Sequence, residues 1–228
     1  MKSLPVFIIL IFNFISSSIL SQTIRFAEER ESNLSLRQGL TTDLEIILTD
    51  DLDSLINQFL DYGVSVSNIS FQGSLPGTGV PQIGIFDNAL QYGYGINKSL
   101  VLATCDIRLI PQEASVQLNN QVGGQGYQPL TDLAGNSTFD AAVLSFDVVP
   151  VGNVLEFNYI FASEEYPQYV CSNYNDIFAF FISGKNPEGG DYDHENIALV
   201  PGTNMAVAIN SITLVHMEAV AQLEDVLL

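Results

Sequence analysis

The sequence predicts a mainly β fold, an antiparallel β-sandwich of jelly-roll type with one N-terminal amphipathic helix. Short stretches of alternating apolar and polar residues recur between turns rich in Gly, Pro and Asn, the pattern of half-buried strands. A single segment, DLDSLINQFLDYG (residues 51–63), has clear helical spacing. The chain of 228 residues is 47% hydrophobic and only 14% charged, so it buries a substantial core rather than staying disordered.

Residues 1–22 have the form of a secretory signal peptide. Lys2 supplies the positive start, residues 4–15 an apolar stretch broken by Pro5 and Asn13, and a small polar stretch ends near Ser21 and Gln22. The apolar part is too short for a membrane span, and no span is expected after its removal. No cysteine follows that would receive a lipid. Residues 23–43 form a mixed, charged leader, residues 44–212 the β domain, and residues 213–228 an atypical tail of helix formers without Gly or Pro.

Within the domain, Asp50 or Asp51 caps the helix, whose apolar stripe is Leu52, Leu55, Ile56, Phe59 and Leu60, and Gly63 stops it. Strands are expected at residues 64–71, 81–86 and 100–104, followed by a long surface loop at 110–128. Residues 138–149 alternate and run through Pro150, Val151 and Gly152 into residues 154–161, which predicts a hairpin. The focal stretch is FNYIFASEEYPQYVCSNYNDIFAFFISG, residues 157–184. There Phe157, Tyr159 and Phe161 point to one side, and Asn158, Ile160 and Ala162 to the other. After a polar loop, residues 177–182 give a continuous apolar run, expected to be one buried strand. An acidic, turn-rich loop (185–196) then leads to short strands at 197–200 and 205–209.

Charge narrows the partners. With 26 acidic and 7 basic residues, net −19, the surface repels phosphate backbones, so nucleic acid is excluded as a partner. The same balance suits a secreted or cell-surface protein and a divalent cation. Calcium takes six to eight hard oxygens, and Glu164, Glu165, Asn173, Asn175 and Asp176 gather in one loop, with Asp87 or Asp140 on neighbouring strands. Glu164, Glu165 and Asp176 are the candidate metal ligands. The competing use of these side chains is to hold turns by hydrogen bonding to loop backbone. Glu164 and Glu165 also raise a carbohydrate-active hydrolase as an alternative, but adjacent residues on an extended chain face opposite sides and do not flank one bond.

Other chemistry is thinner. His194 and His216 are isolated and no Cys/His spacing suits zinc. Ser163 lies outside a nucleophile elbow, and Gly123, Gly124 and Gly126 lack the lysine of a phosphate loop. Tyr159, Tyr166, Tyr169 and Tyr174 serve either as a sugar-stacking platform or as core. Four N-x-[ST] sequons (Asn33, Asn68, Asn97, Asn136) matter only in a eukaryotic secretory pathway. Two cysteines in an oxidising compartment suggest a Cys105–Cys171 disulfide tying an early strand to the central pair.

The focal stretch, followed by NIALVPGTNMAVAINSI and preceded by LINQFLDYGVSVSNISFQG, IGIFDNA, GYGINKSLVLAT and FDAAVLSFDVVP, resembles the choice-of-anchor L domain of bacterial surface and secreted proteins. The likeness covers roughly residues 52–212, with several motifs in the family's order. It implies a module of a long extracellular chain, attached by whichever anchor its host uses, with an unknown glycan or protein as ligand. Family members commonly pair the loop cysteine with later partners, which argues against the Cys105–Cys171 bridge. In the resembled family further aromatic strands follow AINSI, and the tail here lacks them; a truncated, non-functional fragment is thus a third reading. The leading expectation is a non-catalytic adhesion or display module stabilised by calcium.

Overall fold

The computed structural model describes residues 44–58, 64–89, 96–110, 122–150, 154–155, 159–163, 171–172, 175–186, 189–214 and 226–227. In order these form β1 (Glu45–Ile47), α1 (Leu52–Asn57), β2 (Val64–Gln72), β3 (Ile83–Asp87), β4 (Ser99–Leu102), a 3-10 turn (Ile107–Leu109) and α2 (Gln128–Ala134). There follow β5 (Val143–Pro150), β6 (Val154–Leu155), β7 (Ile177–Phe178), β8 (Phe181–Lys185), β9 (Asp191–Asn196), β10 (Val207–Ala208), α3 (Ile209–Leu214) and β11 (Val226–Leu227).

Among the described residues every pair of strands is antiparallel. β1, β3 and β4 make one sheet, with Ile85 opposite both Ile47 and Leu100, and β3 and β4 are buried along nearly their whole length. Alternation sorts their side chains between two cores. Ile83, Ile85, Leu100 and Leu102 meet Leu55 and Ile56 of α1, together with Phe178, Val200 and Val207. On the other side Phe86 and Val101 meet Leu44, Ala89, Ala103, Cys105 and Ile107. Gly84 lies on this second side, where a Cβ would come within 2.7 Å of Ile107 Cδ1 and 2.9 Å of the Ile47 carbonyl oxygen. Only glycine lets β1 and the 3-10 turn close on β3.

The ribbon β2–β5 covers the first core. Val66, Phe71, Leu144, Phe146 and Val148 pack inward while Ser65, Ser67, Ser145 and Asp147 are exposed, the signature of a sheet with one wet face. The layers make a sandwich-like, mainly antiparallel β fold, and no sheet closes on itself among the described residues. α1 begins as expected: Ser54 N–H donates to Asp51 Oδ1 at 3.1 Å, while the neighbouring Asp50 carboxylate accepts from Gly77 N–H at 2.8 Å. Phe59, Leu60 and Gly63 lie outside the described residues.

Several strand partners differ from expectation. Among the described residues β5 pairs with β2 and β6 with β11, while residues 151–153 and 156–158 of the expected hairpin lie outside the described residues. The eight residues of β5 match the nine of β2 in length and in the alternation of their half-buried face. The run 177–182 is two strands in two sheets, β7 against β10 and β8 against β9. The chain changes sheets at Ala179 and Phe180, where Phe180 N–H donates to Asn196 Oδ1 and the Phe180 carbonyl accepts from Ile197 N–H. The expected acidic loop contains β9, held to β8 by cross-strand pairing that includes Lys185–Asp191 at 2.6 Å. Behind the Gln-rich loop, α2 starts with Pro129 in its first turn and ends on left-handed Gly135, the usual pair of helix stop and start residues. Of the tail, α3 starts before residue 213 and β11 is extended; the signal and leader segments fall outside the described residues.

Candidate functional site

The oxygen-rich loop is only partly in view. Glu164, Glu165 and Asn173, along with Tyr166, Tyr169 and Tyr174, lie outside the described residues. Asn175 and Asp176 are seen, and the loop backbone around them docks on the start of α3. Asn175 Oδ1 accepts from Asn210 N–H (3.0 Å), and the Asp176 carbonyl accepts from Ile209 N–H (3.1 Å). Asn210 in turn accepts from Cys171 N–H (2.7 Å) and donates to the Ser172 carbonyl (3.2 Å). Asn175 therefore spends its acceptor on architecture. Asn210, which organises this junction, carries no sequence signal beyond being polar at a helix start.

The two aspartates proposed as neighbours are also structural. Asp87 accepts from Asn88 N–H (2.7 Å) and Asn97 Nδ2 (3.3 Å) and faces Lys98 at 3.8 Å. Asp140, buried and left-handed at φ 53°, accepts from Gly124 N–H. Among the described residues no three His, Cys, Asp or Glu side chains converge as a metal site.

The Cys105–Cys171 bridge is not formed. Cys105 is buried in the second core, whereas exposed Cys171 is tied through Asn210 to α3, whose Ile212 packs in the first. The β1–β3–β4 sheet separates the two cores, and a disulfide needs Cα atoms within about 7 Å.

Tyr159 and Phe161 pack on the first core and Ile160 and Ala162 on the second, although residues 159–163 form no strand. The Tyr159 ring sits 5.0 Å from that of Phe178, and its buried hydroxyl has no hydrogen-bond partner among the described residues. Burial pushes this phenol from 10.0 up to about 12. Unfolded, it ionises near its ordinary value; folded, it holds its proton longer. Stability is thus complete below about pH 10 and is lost as pH rises through 12. Tyr159→Phe removes this sensitivity, which is about 1.4 kcal/mol at pH 11. Urea melts of both proteins at pH 8 and pH 11 check it, the wild type losing more between the two.

A second cluster was not foreseen. Tyr127, the residue just before α2, reaches the β8–β9 hairpin, where its hydroxyl is 3.3 Å from His194 Nε2. The His194 ring stacks on Phe181, centroids 4.3 Å apart and planes at 15°, and Tyr127 meets Phe181 edge-on at 6.3 Å. A bulge lies beside it: register slips between Ile182 and Gly184, and His194 takes a left-handed φ of 54° with its N–H donating to Ser183 Oγ at 3.0 Å. Tyr127 is itself held by Thr138, whose Oγ1 accepts from Tyr127 N–H at 3.2 Å. Alternation of Phe181, Ser183 and Lys185 was the available signal, hidden because residues 185–196 look like a loop.

No helix among the described residues is long and apolar enough to cross a membrane. Neither the curated proteins nor the solved structures yield a match. Residues 46–223 match the model of the choice-of-anchor L domain, which extends past Ile212 into the tail. With most of its length matched, and with the mainly antiparallel β architecture described above, the chain belongs to the choice-of-anchor L domain family.

Proposed function

We propose that this protein is a secreted or cell-surface module that adheres or displays rather than catalyses, with calcium stabilising the loop that contains Glu164, Glu165 and Asp176. Family membership over residues 46–223 carries the reading. The signal-like start and the net charge of −19 support it, since a chain rich in carboxylates stays soluble outside the cell and attracts divalent cations. Its ligand is an extracellular glycan or protein.

Beads coated with the chain lacking residues 1–22 are expected to be retained severalfold more than albumin-coated beads on surfaces bearing extracellular polysaccharide or matrix protein. No retention on either surface overturns the adhesive role. Hydrolysis of a polysaccharide that Glu164→Gln and Glu165→Gln abolish would replace it with the hydrolase. For calcium, a melt in millimolar calcium is compared with one in chelator. A site filled at a hundredfold excess over Kd adds about 2.7 kcal/mol, and Glu164→Gln, Glu165→Gln or Asp176→Asn should remove that gain. Identical melts would refute the calcium site alone.

A further inference from the structure

We propose that the face formed by Tyr127, Phe181 and His194 binds a neutral carbohydrate chain; this rests on the adhesive reading and names its ligand class and location. The first observation is the bulge in β9. His194 is a non-glycine residue in the left-handed region, a conformation that asparagine or glycine fills with less strain. The register places His194 opposite Ser183 on the Phe181 face of the hairpin, where its exposed imidazole lies nearly parallel to the Phe181 ring. Phe181 covers one side of the imidazole. The ring is thus a layer on the surface and not part of either core, since neither core includes it.

The second observation is what continues from the rings. Phe181, Ser183 and Lys185 share one face of β8, and Lys185 meets its cross-strand partner Asp191 at 2.6 Å with both side chains exposed. From the Phe181–His194 stack to this pair is roughly 13 Å along the strand, enough for about two or three sugar rings. One end of the face is aromatic, matching the C–H side of a pyranose. The other holds a hydroxyl, an ammonium and a carboxylate, donors and acceptors side by side for vicinal hydroxyls.

Charge selects among ligands. The cation and anion at the polar end cancel, so a charged ligand finds no net attraction there. A polyanion is further opposed by the net charge of −19.

The test is calorimetric titration of the whole secreted chain with cellohexaose, xylohexaose and mannohexaose, with a heparin hexasaccharide as the anionic control. At least one neutral probe is expected to bind and heparin to fail. His194→Asn, which suits the left-handed backbone, should weaken that binding at least tenfold with an unchanged melt. Lys185→Met, at an exposed site, should weaken it severalfold and guards against misfolding of the first variant. Binding that survives both substitutions overturns the face. Failure of all three neutral probes overturns it too: bead retention that persists then leaves adhesion standing, and its loss removes both. Heparin binding that His194→Asn abolishes would overturn the neutral ligand class.

Discussion

Gln82→Leu is expected to destabilise the protein by about 4 kcal/mol although leucine is close to glutamine in size. Gln82 is 1% exposed and every polar atom of its side chain is used. Its Nε2 donates to the carbonyls of Ala103 (3.1 Å) and Asp140 (2.8 Å), and its Oε1 accepts from Ser74 N–H (2.9 Å). The Gln82 backbone already bonds Ser74 and Ala103, and the side chain doubles those links and adds the one to Asp140. Leucine strands two buried carbonyls out of water, each at a cost of about 1–3 kcal/mol before relaxation, and leaves the part-buried Ser74 N–H without its partner. Urea unfolding measures the loss. The rate at which a thiol reagent reaches buried Cys105, two residues beyond Ala103, should rise in parallel while exposed Cys171 reacts at an unchanged rate. A loss under 1 kcal/mol would mean that the loops are held by something else.

Gly126→Ala should cost about 3 kcal/mol, by overpacking rather than by lost bonds. Its Cβ would overlap the Thr138 carbonyl oxygen and come within 2.5 Å of Thr138 Oγ1, and backbone retreats less readily than a side chain. The crossing of residues 124–127 with 138–141 would open; it carries Asp140 N–H to Gly124 and Ala141 N–H to Gln125. Tyr127 moves with it. Proton NMR of the His194 ring distinguishes this outcome: the edge contribution from Tyr127 should vanish while the stacking shift from Phe181 stays. An unaltered His194 spectrum with lowered stability would confine the damage to the crossing itself.

Both substitutions fall on residues whose importance periodicity does not reveal. Alternation reports which side of a strand is apolar, and there it was sound: Tyr159 and Phe161 go to one core, Ile160 and Ala162 to the other. Local chemistry was legible as well, for Asp51 caps α1 and Leu55 and Ile56 are wholly buried. Neighbours were not. β2 and β5 pair across a separation of about 80 residues because their apolar faces match in length, and no local signal reports that. A run such as IFAFFI is apolar throughout, so nothing in it marks Ala179 and Phe180 as the point of passage between sheets. The ring cluster depends on the pairing of β8 with β9 and on the approach of Tyr127 from outside the hairpin, neither of which a local pattern reports. Of the nominated oxygen ligands, the described Asn175 supports α3 and Asp176 is described beside it, whereas Glu164, Glu165 and Asn173 lie beyond the described residues.

The unbridged cysteines bear on how the fold responds to reduction. With Cys105 sealed among apolar neighbours and Cys171 on the surface, the fold draws its stability from burial and backbone pairing rather than from a covalent cross-link. A fold held together in this way is expected to unfold at the same urea concentration with and without reducing agent, and a lowered midpoint under reduction would show a cross-link.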